Sequence, residues 1–215
     1  LVKGLKAVLP EAGFLAEEGT EGADEGVRFR WVVDPLDGTT NLIHGLPVFC
    51  VSVALVDGDT PIVAVVYDPN RDECFTAVKG GGTHLNGERV RCSDCSSLQH
   101  ALVATGVPHW DFTRMSEYLQ AMTAFAKGTR GLRRMGSAAI DLAYVACGRF
   151  DVFVEYSLQP WDIAAGLLLV QESGGTTCDF KGGDGAEVLL SGKETLASAP
   201  GLSGEVLSVI RHAFD

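Results

Sequence analysis

Two aspartates three residues apart, Asp34 and Asp37, close an apolar run in the stretch Trp31-Val32-Val33-Asp34-Pro35-Leu36-Asp37-Gly38. Carboxylates at the exposed end of a buried strand suit a hard cation, which takes oxygen ligands. Thr39-Thr40-Asn41 follows as the opening of a short helical turn, so the backbone N–H groups beyond Gly38 are placed to hold an anion beside that cation. Cation plus anion points to metal-assisted chemistry on a phosphate. The same residues also fit a P-x-D-G turn with solvated acids, and the stretch alone leaves both readings open.

A second acidic motif is Pro160-Trp161-Asp162-Ile163-Ala164-Ala165-Gly166. Proline suits the first position of a helix, and the helix dipole favours a carboxylate in the first turn. The small residues behind Asp162 admit close packing without saying of what. An ordinary N-terminal helix acid would look the same.

The elements that must position these acids follow from periodicity. Residues 1–9 suit the end of an amphipathic helix stopped by Pro10. Strands are predicted over 13–16, 29–33, 48–56, 62–67 and 74–78, with a small hairpin framed by Gly80-Gly81-Gly82 and Asn86-Gly87, an antiparallel β-rich first half. The stretch Glu17 to Glu25 holds five acids and two glycines and reads as a surface loop. Further strands are expected over 101–105, 150–155, 176–179 and 196–199. Helices are expected over 113–127, 137–147, 161–173 and 202–213, giving a more mixed second half.

Composition narrows the function. A chain of 215 residues can bury an ample core, and no apolar run approaches the ~20 residues that span a bilayer. The start, LVKGLKAVLP, lacks the apolar length and cleavage site of a signal peptide. A formal net charge of −11 argues against nucleic acid or an anionic membrane as main partner, yet bound cations can still admit an anionic substrate. Six cysteines (Cys50, Cys74, Cys92, Cys95, Cys147, Cys178) form no disulfide framework, and Cys92-x-x-Cys95 lacks the second pair a zinc site needs. Reduced thiols and a cytoplasmic location are the expectation.

Glu17-Glu18, then Asp34-Pro35-Leu36-Asp37-Gly38-Thr39-Thr40-Asn41, then Trp161-Asp162-Ile163-Ala164-Ala165-Gly166 occur in order and at fitting separations. Together they resemble the signature of the inositol monophosphatase family, within the superfamily of lithium-sensitive, magnesium-dependent phosphatases that includes fructose-1,6-bisphosphatases. The likeness covers nearly the whole chain, since Gly80-Gly81-Gly82 and Met135-Gly136-Ser137-Ala138-Ala139 also fall where the family has counterparts. It implies an α/β (α+β) fold, a layered αβαβα sandwich, as one domain over 1–215: an antiparallel-sheet half with the metal site (1–100) and a mixed half (101–215).

The resemblance also implies roles. Glu17, Asp34 and the carbonyl of Leu36 would hold one Mg²⁺; Asp34, Asp37 and Asp162 a second; a weaker third would sit near Glu17 through water. Glu17, Asp37 and Thr39 would be catalytic, Thr39 orienting the attacking water. Gly38 and Thr39 would cradle the phosphate, with Asp162, Glu155 and the backbone of Ala138 on the substrate side. Read from the residues alone, Glu155 is a strand-end acid and Ala138 a helix alanine. The implied substrate is a small phosphorylated polyol or sugar, inositol monophosphate first. Fructose 1,6-bisphosphate, histidinol phosphate, 3′-phosphoadenosine 5′-phosphate, and a regulatory role on the same fold stand as alternatives. Lithium inhibition and a homodimer follow from the same likeness.

The sequence departs from the family in two places. The family pairs its threonine with an aspartate upstream of the Glu-Glu motif, whereas Leu1 stands only sixteen positions before Glu17. That aspartate and the opening helices are therefore missing, and the expectation is a truncated, incompletely recorded or proteolysed product. Leu42 replaces a commoner Phe. His44 is expected to be a loop residue, His109 is left unassigned, and Cys50 and Cys147 are expected in the core.

Overall fold

Alternating apolar residues in the first half build a seven-stranded sheet in chain order: β1 (Gly13–Ala16), β2 (Phe29–Asp37), β3 (Cys50–Asp57), β4 (Thr60–Asp68), β5 (Glu73–Val78), β6 (Gly82–Leu85) and β7 (Glu88–Val90). The computed structural model describes residues 1–19, 27–108 and 111–214. Neighbouring strands from β2 onward are antiparallel, as short hairpin turns require. The first pair is a correction to the antiparallel expectation: β1 runs parallel to β2. The stretch 17–28 between them is long enough to carry the chain back to the same end of the sheet. The acidic loop expected over 17–25 lies largely outside the described residues, from Thr20 onward.

A second sheet takes the order β11-β12-β10-β8-β9, from β8 (Leu102–Thr105), β9 (Gly131–Arg133), β10 (Val152–Tyr156), β11 (Thr176–Cys178) and β12 (Glu194–Ser198). It is mixed, as expected: β8 is parallel to β9 and β10, while β12 is antiparallel to β10 and β11. Seven α-helices complete the described chain: α1 (Val2–Val8), α2 (Thr39–Ile43), α3 (Met115–Gly128), α4 (Ala138–Ala146), α5 (Pro160–Glu172), α6 (Ala186–Leu190) and α7 (Ser203–Phe214).

Three apolar clusters set the layers. Leu5 and Leu9 pack with Phe14, Trp31 and Val53 on the outer face of the first sheet. Between the sheets lies the main core, where Ile140, Leu142, Ile163 and Leu167 of α4 and α5 meet Val32, Ala54, Phe75 and Phe153. On the far face of the second sheet, Phe125 of α3 and Val206 and Ile210 of α7 pack against Val103, Val152 and Leu196. This is an α/β fold in αβαβα layers, as the resemblance implied.

The small residues of α5 now have a partner. A Cβ at Gly166 would lie 2.5 Å from the Leu142 side chain, so α5 offers bare backbone where the leucine of α4 packs against it. Ser52 Oγ donates to the Trp161 carbonyl at 3.3 Å and Thr83 Oγ1 to that of Leu169 at 2.6 Å, fixing α5 on the first sheet.

The Asp-Pro-Leu-Asp stretch differs from the turn expected there. β2 runs on through it to Asp37, with the register against β3 shifting between Asp34 and Asp37. Proline has no N–H to give the ladder, so Pro35 sits where pairing is interrupted. Gly38 then adopts φ +98, and a Cβ there would stand 2.8 Å from the Val48 carbonyl oxygen. Its necessity comes from the approach of its own chain. Gly38→Ala is expected to cost roughly 1–3 kcal/mol. An unchanged midpoint in urea unfolding would show that the loop relaxes around the methyl group.

Candidate active site

One end of the layered structure opens into a cavity of about 820 Å³ bordered by parts of both halves. Its acids arrive from different elements: Glu17 just after β1, Asp34 and Asp37 on β2, Asp141 on α4, Glu155 on β10 and Asp162 on α5. Leu36, Gly38, Thr39 and Ala138 line it too, so every residue singled out in the sequence as a site residue reaches this one cavity.

Backbone donors fix the aspartates. Asp34, 2 % exposed, accepts a hydrogen bond at Oδ1 from the Leu36 N–H at 2.8 Å. Asp37 meets the start of α4: its Oδ2 accepts from the Ala139 N–H at 2.8 Å and from the Ser137 hydroxyl at 2.7 Å. Ser137 is also the N-cap of α4, accepting from the Ile140 N–H at 3.4 Å. Asp162 stands at the third position of α5 in a capping box, its Oδ2 accepting from the Gln159 N–H at 2.8 Å. Pro160 opens that helix, as its position in the motif predicted. The Thr39 hydroxyl donates to the Leu36 carbonyl at 2.9 Å, tying two of the singled-out residues together.

A buried amide closes the wall behind them. Asn41, 5 % exposed, donates from Nδ2 to the carbonyls of Val48 at 2.8 Å and Met135 at 2.9 Å. It joins the loop after β2 to the segment before α4.

The charges have no cationic match close by. None of Glu17, Asp34, Asp37 and Asp162 makes an ion pair among the described residues, and Arg134 alone contributes a basic side chain to the lining. Burial, then repulsion from Asp37, pushes Asp34 up to about 8 despite the Leu36 N–H. Burial raises Asp37 to about 6 against the pull of Ser137 and the α4 backbone. Burial lifts Asp162 to about 7 and Glu155 to about 8, with Asp37 among the charges adding to both.

This donor set, four carboxylates and a carbonyl, is the hard-oxygen chemistry of Mg²⁺. Among the described residues no three acids, histidines or cysteines form a ready-made metal cage. An open arrangement fits an ion that keeps several waters and completes its shell with substrate phosphate.

A model of the inositol monophosphatase family matches residues 1–213. The chain belongs to the inositol monophosphatase family. An inositol-1-monophosphatase of Rhizobium meliloti is 46 % identical over 193 residues, covering 88 % of this chain and 73 % of the relative. The Nus factor SuhB of Xylella fastidiosa is 44 % identical over 195 residues, covering 91 % and 70 %. Among solved structures, the inositol monophosphatase of Anabaena (Nostoc) superposes with a TM-score of 0.91 at 33 % identity, covering 98 % of this chain and 82 % of that one. Relatives within the family thus include both inositol-1-monophosphatases and Nus factors.

Sequence reasoning missed Ser137, Gln159, Arg134 and Asp141 as individual site residues. Asp141 had a signal: it is the one acid in the otherwise apolar helix sequence AAIDLAYVA. His44 is exposed at the end of α2 and does not line the cavity. His109 lies outside the described residues. Cys50 is fully buried against Ser137, and Cys147 is partly buried against the main core.

A carboxyl whose pKa rises on folding holds its proton more tightly in the folded chain. The metal-free protein therefore loses stability as pH climbs from the ordinary carboxylate range, about 4, through the folded values of about 6 to 8. Melting in EDTA is expected at a lower temperature at pH 8 than at pH 5, with added Mg²⁺ raising the midpoint more at pH 8. A midpoint in EDTA that is flat or rises over that interval contradicts the crowding.

Proposed function

We propose that this protein hydrolyses a small phosphomonoester with Mg²⁺, inositol monophosphate being the favoured substrate: ester plus water gives the free alcohol and inorganic phosphate. One observation carries the reading. Carboxylates from separate elements line a single cavity; Asp34 and Asp37 of β2 and Asp162 of α5 are held by backbone N–H groups, and none of these three has a basic partner among the described residues.

Glu17, Asp34, Asp37, Asp162 and the Leu36 carbonyl are the ligand set, for two ions and a weaker third. Bound Mg²⁺ supplies an acidified water and charge neutralisation at the transferring phosphoryl group. The chain's own part is placement. Gly38, in its left-handed conformation, turns the backbone into α2, where its N–H and that of Thr39 would be available to a phosphate. The Thr39 hydroxyl, anchored on the Leu36 carbonyl, keeps lone pairs for the water it orients. The aspartate that the resemblance pairs with Thr39 has no counterpart in residues 1–215. Glu155 and the start of α4 at Ala138 form the wall for the alcohol half. Sensitivity to lithium and a homodimer belong to the same reading, as does a cytoplasmic setting. No described helix is long and apolar enough to cross a membrane.

Relatives named as Nus factors direct attention to a second role on the same fold, and the retained acids do not exclude it. Phosphate release from inositol monophosphate is expected to need Mg²⁺ and to fall with millimolar lithium. Asp37→Asn is expected to lower kcat/KM by at least about 100-fold, several kcal/mol of transition-state stabilisation. If the protein releases no phosphate with Mg²⁺ from this or the other candidate esters, the catalytic reading fails and the partner-binding one stands.

A further inference from the structure

Asp37 differs from the other aspartates of the ligand set in how its two oxygens are used. Its Oδ2 accepts from the Ser137 hydroxyl at 2.7 Å and the Ala139 N–H at 2.8 Å, with the Cys50 thiol a third, weaker donor at 3.9 Å. All three meet the same oxygen. Asp34 and Asp162 each take a single backbone N–H, at Oδ1 and Oδ2 respectively. A carboxylate oxygen carries two lone pairs. Ser137 and Ala139 use both on Asp37 Oδ2, whereas Asp34 and Asp162 keep a lone pair on each oxygen.

The hydroxyl that does this is itself held. Ser137 is 2 % exposed and caps α4, its Oγ accepting from the Ile140 N–H at 3.4 Å, so its one proton is left for Asp37. Cys50, fully buried, lies 3.6 Å from the same Oγ. The register shift between Asp34 and Asp37 is what sets Asp37 opposite Cys50 across the ladder. Three elements, β2, β3 and α4, therefore converge on one carboxylate oxygen.

Mg²⁺ and Ca²⁺ ask different things of such a group. Mg²⁺ is small and octahedral, keeps several waters and is bound through one or two carboxylates. Ca²⁺ gathers about six to eight oxygens and can take both from one carboxylate. We propose that Ser137 is a positioning residue: it occupies Asp37 Oδ2, so that Asp37 offers only Oδ1 to a cation, and this makes the site prefer Mg²⁺ to Ca²⁺. The proposal rests on the metal-binding reading above and adds the residue that sets its ion preference.

The test titrates metal-free protein with Mg²⁺ alone and with Ca²⁺ alone in a calorimeter and compares the two affinities. Their ratio cancels what both ions face alike, competition from protons included. Ser137→Gly removes the hydroxyl at little cost to the helix cap and is expected to lower the Mg²⁺-to-Ca²⁺ affinity ratio about 10-fold. Ser137→Thr, which keeps the hydroxyl, should hold the ratio within about twofold of wild type. Ser137→Cys, a weaker donor of similar shape, replaces the glycine variant if that chain does not fold, with the same direction of change expected. Affinities for both ions that fall together, an unchanged ratio, or a threonine variant altered as much as glycine would overturn the proposal. Wild-type protein that binds Mg²⁺ no better than Ca²⁺ overturns it too, leaving the metal reading in place. Wild-type protein that binds neither ion removes that reading itself, and the proposal with it.

Discussion

Mutual repulsion among buried carboxyl groups is the constraint around which this molecule is arranged. Six acids share one cavity with a single arginine at its border. A protein can hold such a set with arginines and lysines, which would occupy the oxygens, or with main-chain dipoles, which leave lone pairs free. This chain uses the second device. Leu36, Ala139 and Gln159 each turn a backbone N–H toward one aspartate. Partial positive charge at a helix N-terminus stabilises a carboxylate without neutralising it. The site therefore retains its appetite for cations.

The layers exist to bring those dipoles to the acids. Asp37 lies on the first sheet while the N–H groups it uses belong to α4, in the layer between the sheets. Their meeting depends on α4 and α5 packing closely enough to reach the end of β2, which Gly166 allows. It depends also on the irregular end of β2, where Pro35 breaks the ladder and Gly38 turns the chain. Core packing and site geometry are thus parts of one problem.

Much of this was legible in the sequence because it is written in strong local signals. The Asp-Pro-Leu-Asp-Gly-Thr-Thr-Asn and Trp-Asp-Ile-Ala-Ala-Gly motifs gave the acids, and long apolar periodicities gave the main helices and strands. Short elements escaped. The strand Gly131–Arg133 and the helix Ala186–Leu190 span too few residues to show a period and are defined by tertiary pairing. The parallel β1–β2 pair depends on the path of an acidic connection, which composition does not specify. The contact that bars a side chain at Gly38 comes from Val48, ten residues on and across a loop, which local sequence does not show. Asp141 stands apart from the clustered acids of both motifs, a single carboxyl in an otherwise apolar helix.

Asn41 has a consequence for motion. Its amide nitrogen holds a carbonyl on each side, Val48 in the loop beyond α2 and Met135 in the segment leading to α4. The loop after α2 and the segment leading to α4 are thus stitched together behind the cavity, so neither swings without breaking these hydrogen bonds. Entry and exit then fall to side chains and peripheral loops at the rim, and the floor works as a rigid template. Selectivity in such a pocket is a matter of fit to a fixed shape, with little scope for closing around a poorly matched guest.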